Sequence, residues 1–267
     1  MVKTFAIANQ KGGVGKTTTS VNLAASLAAI GQHVLLVDLD PQGNATMGSG
    51  INKRALTSTI YQVLLGESAA AATRVASESG KYDVIPANRE LAGAEVELVD
   101  ITHREARLRD ALKEIENDYD FILIDCPPAL SLLTLNGLCA AQTVMIPMQC
   151  EYYALEGLSD LVQTIKKVRA NLNPALEIEG LLRTMFDPRN TLAQQVSDQL
   201  QRHFGNKVYR TIIPRNIRLA EAPSYGIPAL GFDKQSKGAL AYLALANEIV
   251  DKSSKPEWVE AGDARAQ

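Results

Sequence analysis

Gln10-Lys11-Gly12-Gly13-Val14-Gly15-Lys16-Thr17 lies between an apolar run, Thr4-Phe5-Ala6-Ile7-Ala8, and an apolar-periodic stretch from Thr17 to Ile30. That is the strand–loop–helix setting of a phosphate-binding loop. Three glycines let the backbone turn so that its N–H groups point inward at oxygens. Lys16 can reach the outer phosphates of a nucleotide and the Thr17 hydroxyl can ligate Mg²⁺, while the following helix turns its positive end to the anion. The octapeptide departs from the usual G-x-x-x-x-G-K-[ST] pattern in two ways. Gln10 stands where the first glycine is expected, and an additional lysine, Lys11, sits near the start of the loop.

Outward from this loop, short β-branched or apolar runs recur at Lys3–Asn9, His33–Asp38, Tyr82–Pro86, Phe121–Asp125, Thr143–Pro147, Ile178–Thr184 and Val208–Ile213. Near-continuous hydrophobicity in such runs predicts strands buried on both faces, as in a parallel sheet. Helical periodicity alternates with most of them, over Thr17–Ile30, Arg104–Asn117, Leu155–Asn171, Leu192–His203 and Lys237–Lys252. The alternation predicts an α/β fold: a doubly wound, mostly parallel sheet flanked by helices, with ligands at the carboxyl ends of the strands. Gln42 to Gly80 is rich in small residues and reads as loops and short helices laid over that edge. There is no internal repeat and no linker. Residues 1–252 therefore read as a single P-loop domain and 253–267 as a polar, flexible tail.

Three further segments carry chemistry. Val34-Leu35-Leu36-Val37-Asp38-Leu39-Asp40 is a buried strand ending in two aspartates spaced by two, which sets both on one side of the strand. Capping explains one terminal aspartate; two, followed by Pro41-Gln42-Gly43-Asn44, mark the edge of a site. Asp40 is the expected residue to orient or deprotonate an attacking water, with Asp38 in support. Phe121-Ile122-Leu123-Ile124-Asp125 has the Walker B form, in which Asp125 holds Mg²⁺ directly or through water. Alone that pattern is weak, since many strands end in aspartate; beside a phosphate loop it is strong. Cys126 reads as a small buried hydrophobe rather than a nucleophile. Lastly, Thr211 to Ser224 runs a strand into a turn holding Pro214, Arg215, Asn216 and Arg218. Either this is turn chemistry with surface charge, or Asn216 and the backbone at Pro214 face a base edge while the arginines face a polyanion.

Of 267 residues 46% are hydrophobic, ample for a core, and the net charge of −3 argues against a protein that is basic all over. The balance is uneven. From Arg183 to Lys237 nine basic residues stand against four acidic ones, either a solvated face or an anion-binding surface. Cys126, Cys139 and Cys150 are odd in number and lack metal-ligand spacing, which points to a reducing compartment. No apolar run approaches the ~18 residues of a membrane span. The first apolar run is too short for a leader and passes straight into the loop.

Together, Lys11-Gly12-Gly13-Val14-Gly15-Lys16-Thr17-Thr18, Val37-Asp38-Leu39-Asp40-Pro41-Gln42-Gly43-Asn44, Ile124-Asp125-Cys126-Pro127-Pro128 and the segment Pro214 to Ser224 resemble the ParA/Soj partitioning ATPases. These belong to the deviant Walker A class of P-loop NTPases that also holds MinD and the nitrogenase iron protein. The resemblance spans Val2 to Ile249 in order and spacing, and implies a weak intrinsic ATPase using ATP and Mg²⁺. By it, Lys11, Gly12, Gly13, Val14, Gly15, Lys16, Thr17 and Thr18 surround the phosphates, and Thr17, Asp40 and Asp125 serve the Mg²⁺. Pro214 and Asn216 meet the adenine, and Lys11, Lys16 and Asp40 form the catalytic set. Lys11 matches the signature lysine that crosses a nucleotide-sandwich homodimer to the partner's phosphates, like an arginine finger. Gly12 matches the close dimer contact. The resemblance further implies that the ATP-bound dimer binds double-stranded DNA without sequence preference, in the cytoplasm at the nucleoid. A ParB-type centromere-binding partner then stimulates hydrolysis and release. Arg189, Arg218 and Lys237 are the candidates for DNA phosphate contact; aromatics do not interleave with them, which suits backbone contact.

The alternative is a MinD-like membrane-cycling ATPase. Such proteins carry a basic amphipathic C-terminal helix, whereas Gly238 to Val250 contains no lysine or arginine, so no stable membrane insertion is expected. An electron-transfer ATPase needs cluster-ligating cysteines at a dimer seam, which Cys126 and Cys139 do not suit. For a metabolic ligase on the same fold, no further substrate-binding motif stands out. The few residues before the first strand leave no room for an N-terminal helix-turn-helix extension, so operator binding and autorepression are not expected.

Overall fold

In the computed structural model, which describes residues 2–254, seven strands form one sheet. They are β1 (Lys3–Ile7), β2 (Val34–Asp38), β3 (Val75–Ser77), β4 (Tyr82–Ile85), β5 (Phe121–Asp125), β6 (Thr143–Gln149) and β7 (Glu177–Thr184), in the order β3-β4-β2-β5-β1-β6-β7. Every neighbouring pair is parallel except the edge pair β3–β4. Side chains alternate between two apolar layers, as a pleated strand requires. In β2, Val34 and Leu36 enter one layer while Leu35 and Val37 enter the other; in β5, Phe121 and Leu123 part in the same way from Ile122 and Ile124. Both faces being covered, the strands are apolar throughout rather than at every second residue, the pattern legible in the sequence.

Among the described residues twelve α-helices accompany the sheet: α1 (Lys16–Ala29), α2 (Asn44–Gly48), α3 (Ile60–Leu65), α4 (Ala70–Thr73), α5 (Leu91–Glu97), α6 (Arg107–Leu112), α7 (Leu132–Ala140), α8 (Ala154–Asn171), α9 (Thr191–Phe204), α10 (Ile217–Glu221), α11 (Ala229–Phe232) and α12 (Lys237–Ser254). Val21, Leu23 and Leu27 of α1 share one layer with Tyr242, Leu245 and Ile249 of α12. The opposite layer takes Leu64 of α3, Leu108 of α6, Leu138 of α7, Leu161 and Ile165 of α8 and Leu200 of α9. In α8 the buried positions Leu158, Leu161, Ile165 and Val168 fall three or four residues apart, an apolar stripe whose members each contribute about 1.5–3 kcal/mol on burial. The chain runs from β1 to β2 on one side and later places β6 on the other, so β1 marks the topological switch point. Among the described residues no helix is long and apolar enough to cross a membrane.

The observed elements depart from expectation in several places. Val208–Ile213 is not a strand: only isolated bridges join Val208 to Leu181 and Pro214 to Phe186. The buried Glu248 carboxylate accepts the Arg210 and Thr211 amides (2.8 and 2.9 Å), so they are diverted from a regular ladder. The expected helix over Arg104–Asn117 is broken into a 3₁₀ turn, the short α6 and a second 3₁₀ turn, with Asn136 Oδ1 accepting from the Leu108 amide to begin α6. Strand β3 and helices α5, α7, α10 and α11 were not anticipated. Finally, α12 continues two residues past the expected boundary to Ser254, whereas residues 255–267 of the expected tail lie outside the described residues.

Helix α7 approaches β5 closely because Gly137 has no side chain. A Cβ there would meet Cys126 Sγ at 2.8 Å, Leu39 Cδ1 at 3.2 Å and Ile124 Cγ2 at 3.3 Å. Gly137→Ala is expected to lower unfolding free energy by about 1–3 kcal/mol through overpacking, as read by chemical denaturation.

Candidate functional site

The loop over residues 8–15 leaves the centre of the sheet at the end of β1 and feeds α1. Gly13 and Gly15 sit at φ +74° and +89°, in the left-handed region that a side chain disfavours, and Gly15 immediately precedes the helix. Two bonds brace the loop against β6 and β7, and a third closes it on itself. Asn9 Nδ2 donates to Pro147 O (2.8 Å), Asn9 Oδ1 accepts from the Lys11 amide (3.0 Å), and Thr184 Oγ1 donates to Val14 O (2.7 Å). Lys16 is 7% exposed and its Nζ donates to Lys11 O at 3.2 Å, so the ammonium curls back over the loop. Burial pushes its pKa down, while the negative field of Asp125 and Asp40 opposes the shift. A buried ammonium at a helix N-terminus, beside exposed turn amides, is a cradle for a polyanion.

Two buried carboxylates face each other across the sheet, since Asp38 and Asp125 are register partners of β2 and β5. Asp125 accepts from Thr17 Oγ1 (2.8 Å) and Ser20 Oγ (2.7 Å). Asp38 accepts from the Thr46 amide and hydroxyl (2.8 and 2.7 Å) and from the Asp40 amide (3.1 Å). Desolvation raises the pKa of both carboxyls; the charge of Asp38 adds to the rise at Asp125, and the Thr46 hydrogen bonds moderate it at Asp38. The alternation expected of this strand persists past its last regular residue: Leu39 packs in the same layer as Leu35 and Val37, and its amide donates to Asp125 O (3.0 Å). The strand ends at Asp38, and the next turn carries Asp40 to the partly exposed rim, where its Oδ1 accepts from the Gln42 amide (2.9 Å). Asp38 braces the loop that holds Asp40. Burial also pushes the Cys126 thiol up, in keeping with a small buried hydrophobe.

On the other side of the loop, a cavity of roughly 160 Å³ is lined by Gly15, Thr18, Thr184, Met185, Pro214 and Asn216 among others. Asn216 is the N-cap of α10, its Oδ1 accepting from the Arg218 amide (3.1 Å), which leaves the Nδ2 hydrogens to donate. Lys11 projects outward, and its Nζ lies 2.6 Å from Glu151 Oε2. A Cβ on Gly12 would meet nothing within 4 Å, so no contact inside the protomer demands glycine there.

The segments that carry the basic candidates adjoin one another: Phe186 bridges to Pro214, and a Cβ on Gly238 would meet Leu219 at 2.6 Å and Asn216 Oδ1 at 3.1 Å. Arg189 is paired with Asp187 (2.8 Å) and Arg218 with both Glu221 (2.8 Å) and Asp233 (3.3 Å), while Lys237 is exposed at the first turn of α12. Arg183, counted in the basic stretch, is buried, donating to Ser197 Oγ and Tyr209 O, and contributes nothing to a surface. Sequence reading missed Ser20, Thr46, Glu151, Thr184 and Met185. Of these only Ser20 left a signal, lying three residues after Thr17 and hence on the same helix face.

A family model described as an AAA domain matches residues 2–178. The chain is 54% identical over 249 residues to the sporulation initiation inhibitor protein Soj of Bacillus subtilis, covering 93% of this chain and 98% of that one. It is 50% identical over 253 residues to the chromosome partitioning protein ParA of Caulobacter vibrioides, covering 94% and 95%. Among solved structures it is similar to cobyrinic acid a,c-diamide synthase from Mycobacterium smegmatis with a bound ATP analogue and magnesium. There the TM-score is 0.84 at 38% identity, covering 96% of this chain and 98% of that one.

The two buried carboxyls set a pH dependence whose sign is fixed. Both titrate higher in the fold than in the unfolded chain, so the folded state holds protons that the unfolded state has released. Their stabilising contribution is present at acid pH and is lost as pH rises from about 3.8 towards about 7. Ligand-free protein is expected to lose denaturation free energy across that interval, by about 1.4 kcal/mol per pH unit for each proton difference. Asp125→Asn should flatten the slope, as read by denaturation midpoints across a pH series.

Proposed function

This chain belongs to the ParA/Soj family of chromosome-partitioning ATPases, and from that membership we propose how its site works. ATP is the proposed nucleotide, with its phosphates on the loop amides, Lys16 and the N-terminus of α1, and its adenine beside Pro214 and Asn216. One observation carries most of this: buried Lys16 stands next to a Thr17–Asp125 pair at the N-terminal end of a helix on the switch-point strand. A relative of known structure holds an ATP analogue and magnesium on the same fold, which supports the assignment.

Mg²⁺ suits the residues present. Thr17 Oγ1 and Asp125 are hard oxygen donors 2.8 Å apart. Among the described residues no three His, Cys, Asp or Glu side chains converge as a metal cage, so the remaining ligands would be phosphate and water oxygens, as Mg²⁺ prefers. When bound, the cation offsets charge that develops on the phosphate oxygens. Asp125 holds that position either directly or through water. Asp40, at the rim and near the Lys16 ammonium, orients the attacking water; Lys16 holds the outer phosphates in place. Lys11 reaches the phosphates of a second copy, supplying positive charge in trans where the transition state needs it. The absence of any contact on Gly12 within the protomer supports close approach by that copy.

The dimer closed around ATP is then the form that binds double-stranded DNA without sequence preference, through Arg189, Arg218 and Lys237. A ParB-type partner stimulates hydrolysis and frees it. DNA retention with ATP, ADP and no nucleotide, each at two salt concentrations, tests this. Retention specific to ATP, blind to sequence and steeply weakened by salt is expected, whereas equal retention in all three states would dismiss a nucleotide switch. Asp40→Ala is expected to remain as an ATP-bound dimer on DNA, with hydrolysis lowered by about 10²–10⁴-fold, the span a positioned proton acceptor contributes. Normal turnover in that variant would remove Asp40 from the water-orienting role.

A further inference from the structure

Lys11 is engaged within its own protomer. Its Nζ lies 2.6 Å from Glu151 Oε2, on the turn between β6 and α8, with the two side chains 43% and 51% exposed. Both ends of this pair hang from the same place. The Lys11 amide is held by Asn9, which donates to Pro147 O in β6, and Glu151 follows the end of that strand with its own amide on Gln149 O (3.0 Å). Beside the lysine, Gly12 leaves open space. Beside the glutamate, Tyr152 and Tyr153 stand 72% and 70% exposed with their rings 5.0 Å apart. Apolar surface next to a half-exposed ion pair is where a second copy would lie and where its approach would strip water from the carboxylate.

We propose that Glu151 is a positioning residue that parks Lys11 on its own protomer, so that the sandwich dimer closes only when phosphate charge on the second copy draws the lysine away. Resting as this does on the trans role of Lys11, it adds a threshold to that role. A triphosphate presents more negative charge than a diphosphate, and so competes better with a single carboxylate. The parking contact therefore favours closure on ATP over closure on ADP. An exposed pair of this kind shifts its own equilibrium by about 1.4- to 5-fold, and each protomer brings one lysine, so a homodimer feels about 2- to 30-fold. That is enough to separate two nucleotide states, and weak enough to open without disturbing the core.

The test is sedimentation of full-length wild type, Glu151→Gln, Glu151→Asp, Lys11→Ala and the double variant Lys11→Ala/Glu151→Gln, each with a non-hydrolysable ATP analogue and with ADP. Glu151→Gln should tighten the ATP-analogue dimer about 2- to 30-fold and give measurable dimer with ADP. Glu151→Asp, which keeps the charge, should stay near wild type. In the Lys11→Ala background the Gln substitution should change nothing, because Glu151 acts through the lysine. In hydrolysis assays the protein concentration for half-maximal rate should fall in Glu151→Gln, a shift that a merely structural residue would not produce. A Glu151→Gln dimer no tighter than wild type, with Lys11→Ala monomeric, would overturn the parking role and leave the trans lysine standing. A Lys11→Ala dimer as tight as wild type would instead remove the trans lysine and the parking role together.

Discussion

The site is organised around a pair of buried carboxylates satisfied by hydrogen bonds. Asp38 and Asp125 end adjacent strands in direct register, and each is wholly enclosed. An unpaired carboxylate in such a place is expensive unless hydrogen bonds replace its water. The donors come from outside the sheet. Thr17 and Ser20 reach Asp125 from the first turns of α1, and Thr46 reaches Asp38 from α2 with both its amide and its hydroxyl. Thr46 Oγ1 also accepts from the Ala87 amide (2.9 Å), which ties in the segment after β4. Satisfying two carboxylates thus fixes three connections over the active edge, including the loop that carries Lys11 and Lys16.

The two lysines of the loop illustrate what burial decides. Lys16 is nearly enclosed, its pKa lowered by desolvation, and its Nζ rests on a carbonyl of its own loop. It has little conformational freedom left to lose, which suits a group that stays with a ligand throughout. Lys11 is anchored only through its backbone, and its side chain ends in an exposed ion pair. Such pairs are weak and exchangeable. Five residues apart in sequence, one lysine is built into the protomer and the other is available to something beyond it. The trans-acting role proposed for Lys11 is physically reasonable because the fold withholds it from the core.

Much of this was legible in the sequence, for reasons that lie in particular residues. The central strands could be read because both their faces are covered, so β2 and β5 appear as unbroken apolar runs. The loop, Asp125 and α1 could be read because phosphate chemistry leaves a local spacing. Val208–Ile213 misled because its apolar pattern is that of a strand, while a glutamate some forty residues away in α12 claims two of its amides. The Asp38/Asp40 spacing could be read because the alternation runs on through Leu39, which shares a layer with Leu35 and Val37. Helix α7 was overlooked because it is covered on most sides: Leu133, Asn136, Gly137, Leu138 and Cys139 are all buried, and an amphipathic signature vanishes when there is no wet face. Glu151, Thr184 and Met185 join the site only through the stacking of β6 and β7 beside β1, which no local pattern encodes.

The charged surface completes the same logic. From the sequence, Arg183 to Lys237 carries a strong positive excess, yet in the fold Arg183 is buried and Arg189 and Arg218 are held by neighbouring carboxylates. On the proposed function, a nucleic-acid backbone must displace these internal partners, so each contact gains less than a free cation would. A single protomer then binds weakly. Joining two protomers places two such surfaces on one body, and the second engagement becomes intramolecular, raising avidity without any new contact. On that proposal, the internal pairing of Arg189 and Arg218 is what would let dimerisation decide whether DNA is held: stronger free cations there would retain the monomer and erase the difference between nucleotide states.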